Sequence, residues 1–261
     1  MLKNEELLRA CAPAAFATAP EDGRVSDRYS FLPTTDILEI LQDEGWGVWS
    51  ARQVKARTWS RNHAKHLIRL RHDDLNTQNF GVGDSFPEML LINAHNGLGS
   101  YSLMAGIYRL VCSNGMVVAD QDFGKIELRH IGFKPEQVID ASKEFIAGSG
   151  KLSDKVSEWS KIELNPRSRQ DFFIDAARIR FGDSTTDDLV KDVSQIRREA
   201  DRKNNLWNVF NVAQENIIRG GYRNGATGRM VRPIQNIQKD VNFNTKLWDL
   251  ASTYSEGVAL N

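Results

Sequence analysis

The 261-residue chain has no excess of charge in either direction: 34 Lys and Arg stand against 34 Asp and Glu. That balance removes the general attraction to polyanions that a strongly basic protein carries. Long apolar runs are absent too. Nothing approaches the run of about 18 residues needed to cross a bilayer, and the opening Met1-Leu2-Lys3-Asn4-Glu5-Glu6 lacks the basic-then-apolar order of a signal peptide. A cytoplasmic protein with no membrane partner is expected. Cysteine is limited to Cys11 and Cys112, far apart and in small or apolar surroundings, which favours two buried thiols over a disulfide or a metal pair.

Several catalytic scaffolds are also missing. There is no G-x-x-x-x-G-K-[ST], no G-x-G-x-x-G after a strand, no H-E-x-x-H and no C-x-x-C, so no cofactor is expected. Gly97-Leu98-Gly99-Ser100 departs from the G-x-S-x-G elbow, which leaves Ser100 as a turn residue. His63 and His66 have an i, i+3 spacing with His72 beyond, yet no cysteine or carboxylate completes a metal site. Glu88, Asp120, Asp122 and Glu127 flank strand-like segments and could hold Mg²⁺ for a nuclease, although Arg129 stands where such sites commonly use Lys.

What is present reads as an α+β protein: an N-terminal antiparallel sheet with packed helices, followed by a mainly helical C-terminal region. Residues 1–27, with Pro13-Ala14-Ala15-Phe16-Ala17-Thr18-Ala19-Pro20, read as an arm, 28–134 as an α+β core domain and 135–261 as the helical region. Tyr29 to Pro33 suits a short strand. Thr34 or Thr35 can cap a helix bearing Ile37, Leu38, Ile40 and Leu41, which Gly45 stops. Trp46 to Arg57 and Lys65 to Arg71 suggest a long hairpin with a polar turn near Ser60-Arg61-Asn62. Glu88 to Asn93 reads as a central strand, Ser102 to Val111 as helix or strand, and Lys125 to Gly132 as a last strand. Helices are expected over 135–147, 152–164, 166–181, 186–201, 205–219 and 244–254.

Charge is balanced overall but segregated locally. Between Gly45 and His72 lie Arg52, Lys55, Arg57, Arg61, Lys65, Arg69 and Arg71, three of the five histidines, and no Asp or Glu. Trp46, Trp49 and Trp59 are interleaved with them, and indole faces can stack on bases while cations hold phosphates. Arg69 and Arg71, two apart, project from one strand face, with Ile68 and Leu70 on the other. The same composition suits a solvated sheet face over core tryptophans. A second acid-free stretch, Asn216 to Lys239, sets Arg219, Arg223, Arg229, Arg232 and Lys239 among Gly220, Gly221, Gly225 and Gly228. It reads as a mobile cationic loop that closes on a polyanion, contacts another subunit, or simply connects two helices. Asn93-Ala94-His95-Asn96-Gly97 and Cys112-Ser113-Asn114-Gly115 read as Asn-Gly turns, in or near which His95 and Arg109 are the residues to test for function.

Five segments carry a family resemblance: Gly45-Trp46; Lys65-His66-Leu67-Ile68-Arg69-Leu70; Asn93-Ala94-His95-Asn96-Gly97; Gly106-Ile107-Tyr108-Arg109-Leu110-Val111-Cys112-Ser113-Asn114-Gly115; and Gln214-Glu215-Asn216-Ile217-Ile218-Arg219-Gly220-Gly221. Together they resemble the domain-of-unknown-function 932 family, the phage/plasmid-like proteins, which brings no established activity. A helix ending in Gly-Trp, a basic hairpin, a further strand and a helix are similar in layout to the single-strand annealing superfamily of Red-beta, RecT and Erf. That likeness implies rings or filaments holding a strand in a basic groove, without ATP or a catalytic metal.

The expectation is therefore a homo-oligomeric protein of a mobile element that binds single-stranded DNA and promotes annealing or recombination without using ATP. Its expected nucleic-acid contacts are Trp46, Trp49, Arg52, Lys55, Arg57, Arg61, Lys65, His66, Arg69, Arg71, Arg109, Arg219, Arg223 and Arg229. The competing readings are a Mg²⁺-dependent nuclease and a protein that blocks a host defence through protein surfaces alone.

Overall fold

The structure, a computed structural model, describes residues 2, 4–21, 31–55, 58–76, 85–96, 101–109, 116–117, 126–128 and 134–259. It divides into two units: Met1–Asn79 with Phe86–Tyr108 and Gln121–Gly150, and Phe80–Ser85 with Arg109–Asp120 and Lys151–Asn261. No helix among the described residues is long and apolar enough to cross a membrane.

The first unit is built on an antiparallel sheet. Strands β1 (Trp46–Gln53), β2 (His66–His72), β3 (Ser85–Asn93) and β4 (Tyr101–Arg109) lie in that order, and β6 (Ile126–Leu128) also pairs with β4. A further short strand, β5 (Met116–Val117), falls in the second unit. The expected hairpin is β1 and β2, joined through a short helical turn at Thr58–His63; the one-turn helix α3 (Asp73–Asn76) follows β2, and the expected central strand is β3. The ambiguous Ser102 segment resolves as strand, and of the Lys125 segment Ile126 to Leu128 are described as strand.

One face of the sheet carries helices. Helix α2 (Thr34–Asp43) buries Ile37, Leu38 and Leu41 at helical spacing. Its cap is Pro33 rather than a threonine, because the Thr34 hydroxyl is engaged elsewhere. Phe31 to Pro33 lie outside any strand, and residues 22–30 fall outside the described part. The stretch expected as an arm contributes buried residues over its described part. Leu8 of α1 (Glu5–Cys11) and Ala14 and Ala15 of the following turn are fully buried. Asn4 Nδ2 donates to the Val48 carbonyl at 2.5 Å, Gln53 Oε1 accepts from the Ala14 amide at 2.9 Å, and the Glu21 amide donates to the His95 carbonyl at 3.0 Å. Cys11, expected buried, is exposed at the end of α1, while Cys112 lies outside the described residues.

The helical region begins with α4 (Pro135–Trp159), one continuous helix where two were expected. Glycine in a helix costs about 1 kcal/mol each, and Gly148 and Gly150 lie between the two expected segments. Burial on both sides of them, by Phe145, Leu152, Val156 and Trp159, outweighs that cost. The division between the two compact units falls inside this helix, after Gly150. Beyond it come α5 (Pro166–Phe181), α6 (Asp187–Val193), α7 (Leu206–Arg219) and α8 (Ile237–Ala259).

Side chains cap three of these helices. Asn165 accepts from the Ser168 amide, Thr186 from Leu189 and Asn205 from Asn208. Helix α6 ends earlier than expected because Asn216 Nδ2 donates to the Val193 and Gln195 carbonyls, both at 2.8 Å. The core of this unit is aromatic. Trp159 lies 4.3 Å from Trp248 and 5.8 Å from Phe210, which stacks on Trp207 at 5.7 Å.

Gly45 links α2 to β1 with φ +92°, and a Cβ there would meet His72 Nε2 at 2.6 Å. His72 cannot retreat freely, since its Nε2 bonds the Glu44 carbonyl at 2.8 Å and its ring lies edge-on to Trp46. Gly45→Ala is therefore expected to lose about 1–3 kcal/mol, read as a lowered urea midpoint with an unchanged slope.

Candidate nucleic-acid interface

The basic hairpin was expected to turn its cations outward together. Its register does put Arg69 and Arg71 on one face, as their spacing requires, but that face is not free for phosphate. Glu88 of β3, fully buried, accepts from Arg69 Nε on Oε2 at 2.6 Å and from Arg71 Nε on Oε1 at 2.7 Å. The Arg69 and Arg71 side chains are only 12% and 8% exposed. A carboxylate in this position needs strong partners, because an ion left unpaired in the interior costs several kcal/mol. The two arginines expected at the centre of a phosphate track thus hold the sheet together. The same contacts occupy both oxygens of Glu88, one of the carboxylates considered for Mg²⁺. Asp120 and Asp122 fall outside the described residues, as does the Glu127 side chain. No group of three or more metal-ligating side chains occurs among the described residues.

Two more expected contacts are interior. Trp46 is 1% exposed, donates from Nε1 to Ser142 Oγ at 2.8 Å and packs edge-on against Phe145, so its ring offers no platform to a base. His66, fully buried, belongs to a polar knot centred on Thr34 Oγ1. Around that atom stand His95 Nε2 at 2.9 Å, His66 Nε2 at 3.0 Å, Asn93 Nδ2 at 3.1 Å and the Tyr101 hydroxyl at 3.2 Å.

Proton bookkeeping fixes the roles in this knot. His66 Nδ1 faces the Ala64 carbonyl at 3.0 Å, which can only accept, so Nδ1 carries the proton and Nε2 accepts from Thr34. Thr34 has then given its single proton, and His95 must donate to it from Nε2. Tyr101 donates to the Leu32 carbonyl at 2.5 Å. Burial, opposed by the Ala64 hydrogen bond, lowers the His66 pKa to about 4, which keeps the ring neutral and useless as a phosphate ligand near pH 7. His95, singled out for a functional test, is likewise a buried member of the knot.

The remaining hairpin candidates are more accessible. Trp49 is 46% exposed, Lys55 and Arg61 are exposed, and Arg52 and Lys65 are half-buried. Arg57 and the Arg109 side chain lie outside the described residues.

In the second unit, Arg219, Arg223 and Arg229 are all exposed. Their segment, expected as a mobile loop, closes as a small hairpin. The Gly221 amide donates to Val231, Val231 to Tyr222 and Asn224 to Arg229, all at 2.8 or 2.9 Å. Gly220 permits the turn with φ +62°, and a Cβ there would lie 2.5 Å from the Val231 carbonyl. Arg180 clamps the hairpin base, donating to the Ile217 and Arg232 carbonyls.

Beside this hairpin, the Arg198 guanidinium makes a two-pronged pair with Glu215 at 2.8 and 2.9 Å, and Arg219 reaches the same carboxylate at 3.7 Å. Arg197 donates to Asn216 Oδ1. Ile196, Arg197, Arg198, Glu199 and Arg202 line an open cleft of about 310 Å³. From Ile196 to Arg232 the chain carries eight Lys and Arg against three Asp and Glu. Two of those acids, Glu215 and Asp201, are buried, whereas seven of the eight cations are exposed. Thr186 and Asp188 of α6 flank Gly225 at the hairpin tip, and Asp188 is paired with Lys191.

Sequence reasoning gave Glu88 to a metal and Thr34 to a helix cap, missing the roles they play, and did not single out Tyr101. Glu88 had a signal: a lone carboxylate in an apolar central strand, beside a strand with arginines at period two. Nothing local marks the threonine or the tyrosine.

Comparison with known proteins supplies a family. Residues 22–248 match the model described as a domain of unknown function (DUF932). Two Escherichia coli (strain K12) proteins are similar over almost their whole length. The UPF0380 protein YafZ is 34% identical over 96% of this chain and 90% of its own, and the UPF0380 protein YfjQ is 34% identical over 97% and 91%. No solved structure matches the chain.

Glu88→Gln leaves two buried guanidiniums facing a neutral amide and is expected to lose about 3–5 kcal/mol, measured by urea unfolding. Thr34→Val removes the shared hydroxyl and is expected to lose about 1–3 kcal/mol. His66 has a folded pKa of about 4 against an unfolded value near 6.5. The unfolded chain therefore binds a proton that the native state refuses, and stability falls as the pH drops from about 6.5 towards 4. The loss across that window is about 3 kcal/mol from this residue. Unfolding curves at a series of pH values check it, and His66→Gln should flatten the dependence.

Proposed function

The chain belongs to the DUF932 family, and for this member we propose a protein that binds single-stranded DNA and promotes annealing or recombination on a phage or plasmid without using ATP. The observation that supports this reading is the set of exposed cations between Arg197 and Arg232, five more Lys and Arg than Asp and Glu in a chain of zero net charge. Local excess of this kind attracts a polyanion even when the total does not.

Three of the cations sit on framework that is already fixed. Arg219 ends α7 next to its buried partner Glu215, and Arg223 and Arg229 ride on the closed hairpin. Such placement limits the side-chain entropy lost when phosphates bind. The mechanism is positional. Subunits of a ring or filament hold a strand by its phosphates, leave base edges accessible, and so let a complementary strand pair. The resemblance in layout to Red-beta, RecT and Erf proteins, read from the sequence alone, would fit such an assembly. The nuclease alternative is weakened by Glu88, whose oxygens are occupied by arginines.

The test is an anisotropy titration of a labelled single strand over a salt series, run alongside an annealing assay with complementary strands. Binding is expected to weaken steeply with salt, since each neutralised phosphate releases condensed counterion. Replacing Arg223 and Arg229 together by Glu should reduce affinity at least tenfold and lower the salt slope by about 1.4, roughly 0.7 per contact. Salt-insensitive binding, or none, overturns the proposal.

A further inference from the structure

Trp49 has surroundings unlike those of the interior tryptophans. Strand β1 pairs with β2 in regular register through Val48↔Leu70 and then slips, so that Ser50 rather than Trp49 faces Arg69. Trp49 is the extra residue of a bulge, a device that re-aims a side chain at the edge of a sheet. Its indole turns onto the face that carries Arg71, whose guanidinium carbon lies 3.6 Å from the ring centroid.

Arg71 is not a mobile surface cation. Its Nε is held by the fully buried Glu88 at 2.7 Å, so a carboxylate in the sheet fixes an arginine and the arginine fixes an indole. One face of the ring is covered by the guanidinium, and nearly half of the residue remains in solvent. An exposed tryptophan is ordinarily free to rotate; this one is presented as a rigid plane.

The surroundings indicate what the plane receives. From Gly45 to His72 no acidic residue occurs, Lys55 and Arg61 are exposed, and Gln53 Nε2 ties the Arg61 carbonyl to β1 at 2.5 Å. A planar group attached to an anion fits both features, and an unpaired nucleobase on its phosphate backbone is such a group. We propose that Trp49 is a base-stacking platform in the first unit, with Arg71 and Glu88 as positioning residues. The inference rests on the nucleic-acid reading and adds where a base goes.

The test uses the full chain and a fluorescein-labelled thymidine oligomer of about 20 nucleotides, longer than a typical site. Wild type is expected to bind with quenching of tryptophan emission. Trp49→Ala should weaken binding about tenfold and remove most of the quenching, whereas Trp49→Phe, which keeps a stacking face, should stay within about twofold in affinity. Binding to a duplex of mixed sequence should not differ between the three. Circular dichroism checks that each variant is folded, and the exposed position of Trp49 makes that the expected result. If folded Trp49→Ala binds the oligomer like wild type, the platform is excluded while the nucleic-acid reading stands. If wild type binds no single strand at low salt, the functional reading falls and the platform with it.

Discussion

A single buried carboxylate decides how the first unit is organised. Glu88 sits in the middle of a sheet where an isolated charge would be strongly unfavourable, and β2 delivers two guanidiniums to it. Strand geometry makes this possible without distortion. Residues two apart share a face, so Arg69 and Arg71 both reach the neighbouring strand, and each takes its own oxygen of the carboxylate. The Arg71 guanidinium, held by Glu88 of β3, also lies over the indole of Trp49 of β1. Core stability and the presentation of an exposed aromatic are two ends of one electrostatic chain, and a change at Glu88 is felt at a side chain it does not touch.

That chain explains what was legible in the sequence and what was not. Alternation over Lys65 to Arg71 reads correctly as a strand, and the arginines do share a face. Whether that face meets water depends on Glu88, 17 and 19 residues further along, and local pattern is silent on it. The tryptophans show the same limit. Trp46 and Trp49 stand three apart in one strand, so alternation puts them on opposite faces, and which of those faces is covered is decided by distant segments: the first is core and the second is exposed. Caps act locally, as Asn165, Thr186 and Asn205 do within three residues, yet the one cap named from the sequence, Thr34 or Thr35, gives way to Pro33. Helix α4 was misjudged because its glycines are local and its compensating burial is tertiary.

The polar knot applies the same physics without charge. His66 of β2, Asn93 at the end of β3 and His95 just beyond it hydrogen-bond one hydroxyl at the start of α2, each in a single consistent direction, while the Tyr101 hydroxyl of β4 lies beside it and donates to the Leu32 carbonyl. His66 takes part only as a neutral ring, and burial enforces that state. Histidine next to histidine suggests chemistry in a sequence; here the arrangement locks a helix onto a sheet.

Family membership takes on a definite meaning from these positions. Gly45 and Trp46 close the turn into β1, His66, Asn93 and His95 build the knot, and the Gln214 to Gly221 segment is committed residue by residue. Gln214 bonds Asn244, Glu215 holds Arg198, Asn216 ends α6, and Gly220 admits a carbonyl that a Cβ would displace. Among the described residues, the motifs that carry the resemblance are therefore mostly structural: they specify an architecture, and the side chains named here are already satisfied inside it. A binding surface has to be sought in what those motifs leave outside, and the exposed residues are of two kinds: an aromatic plane braced by a buried ion pair in the first unit, and a cationic surface in the second. Stacking is tolerant of base identity and phosphate contact is independent of it. A protein using the two together would hold a strand without reading its sequence, as annealing of arbitrary complementary strands requires.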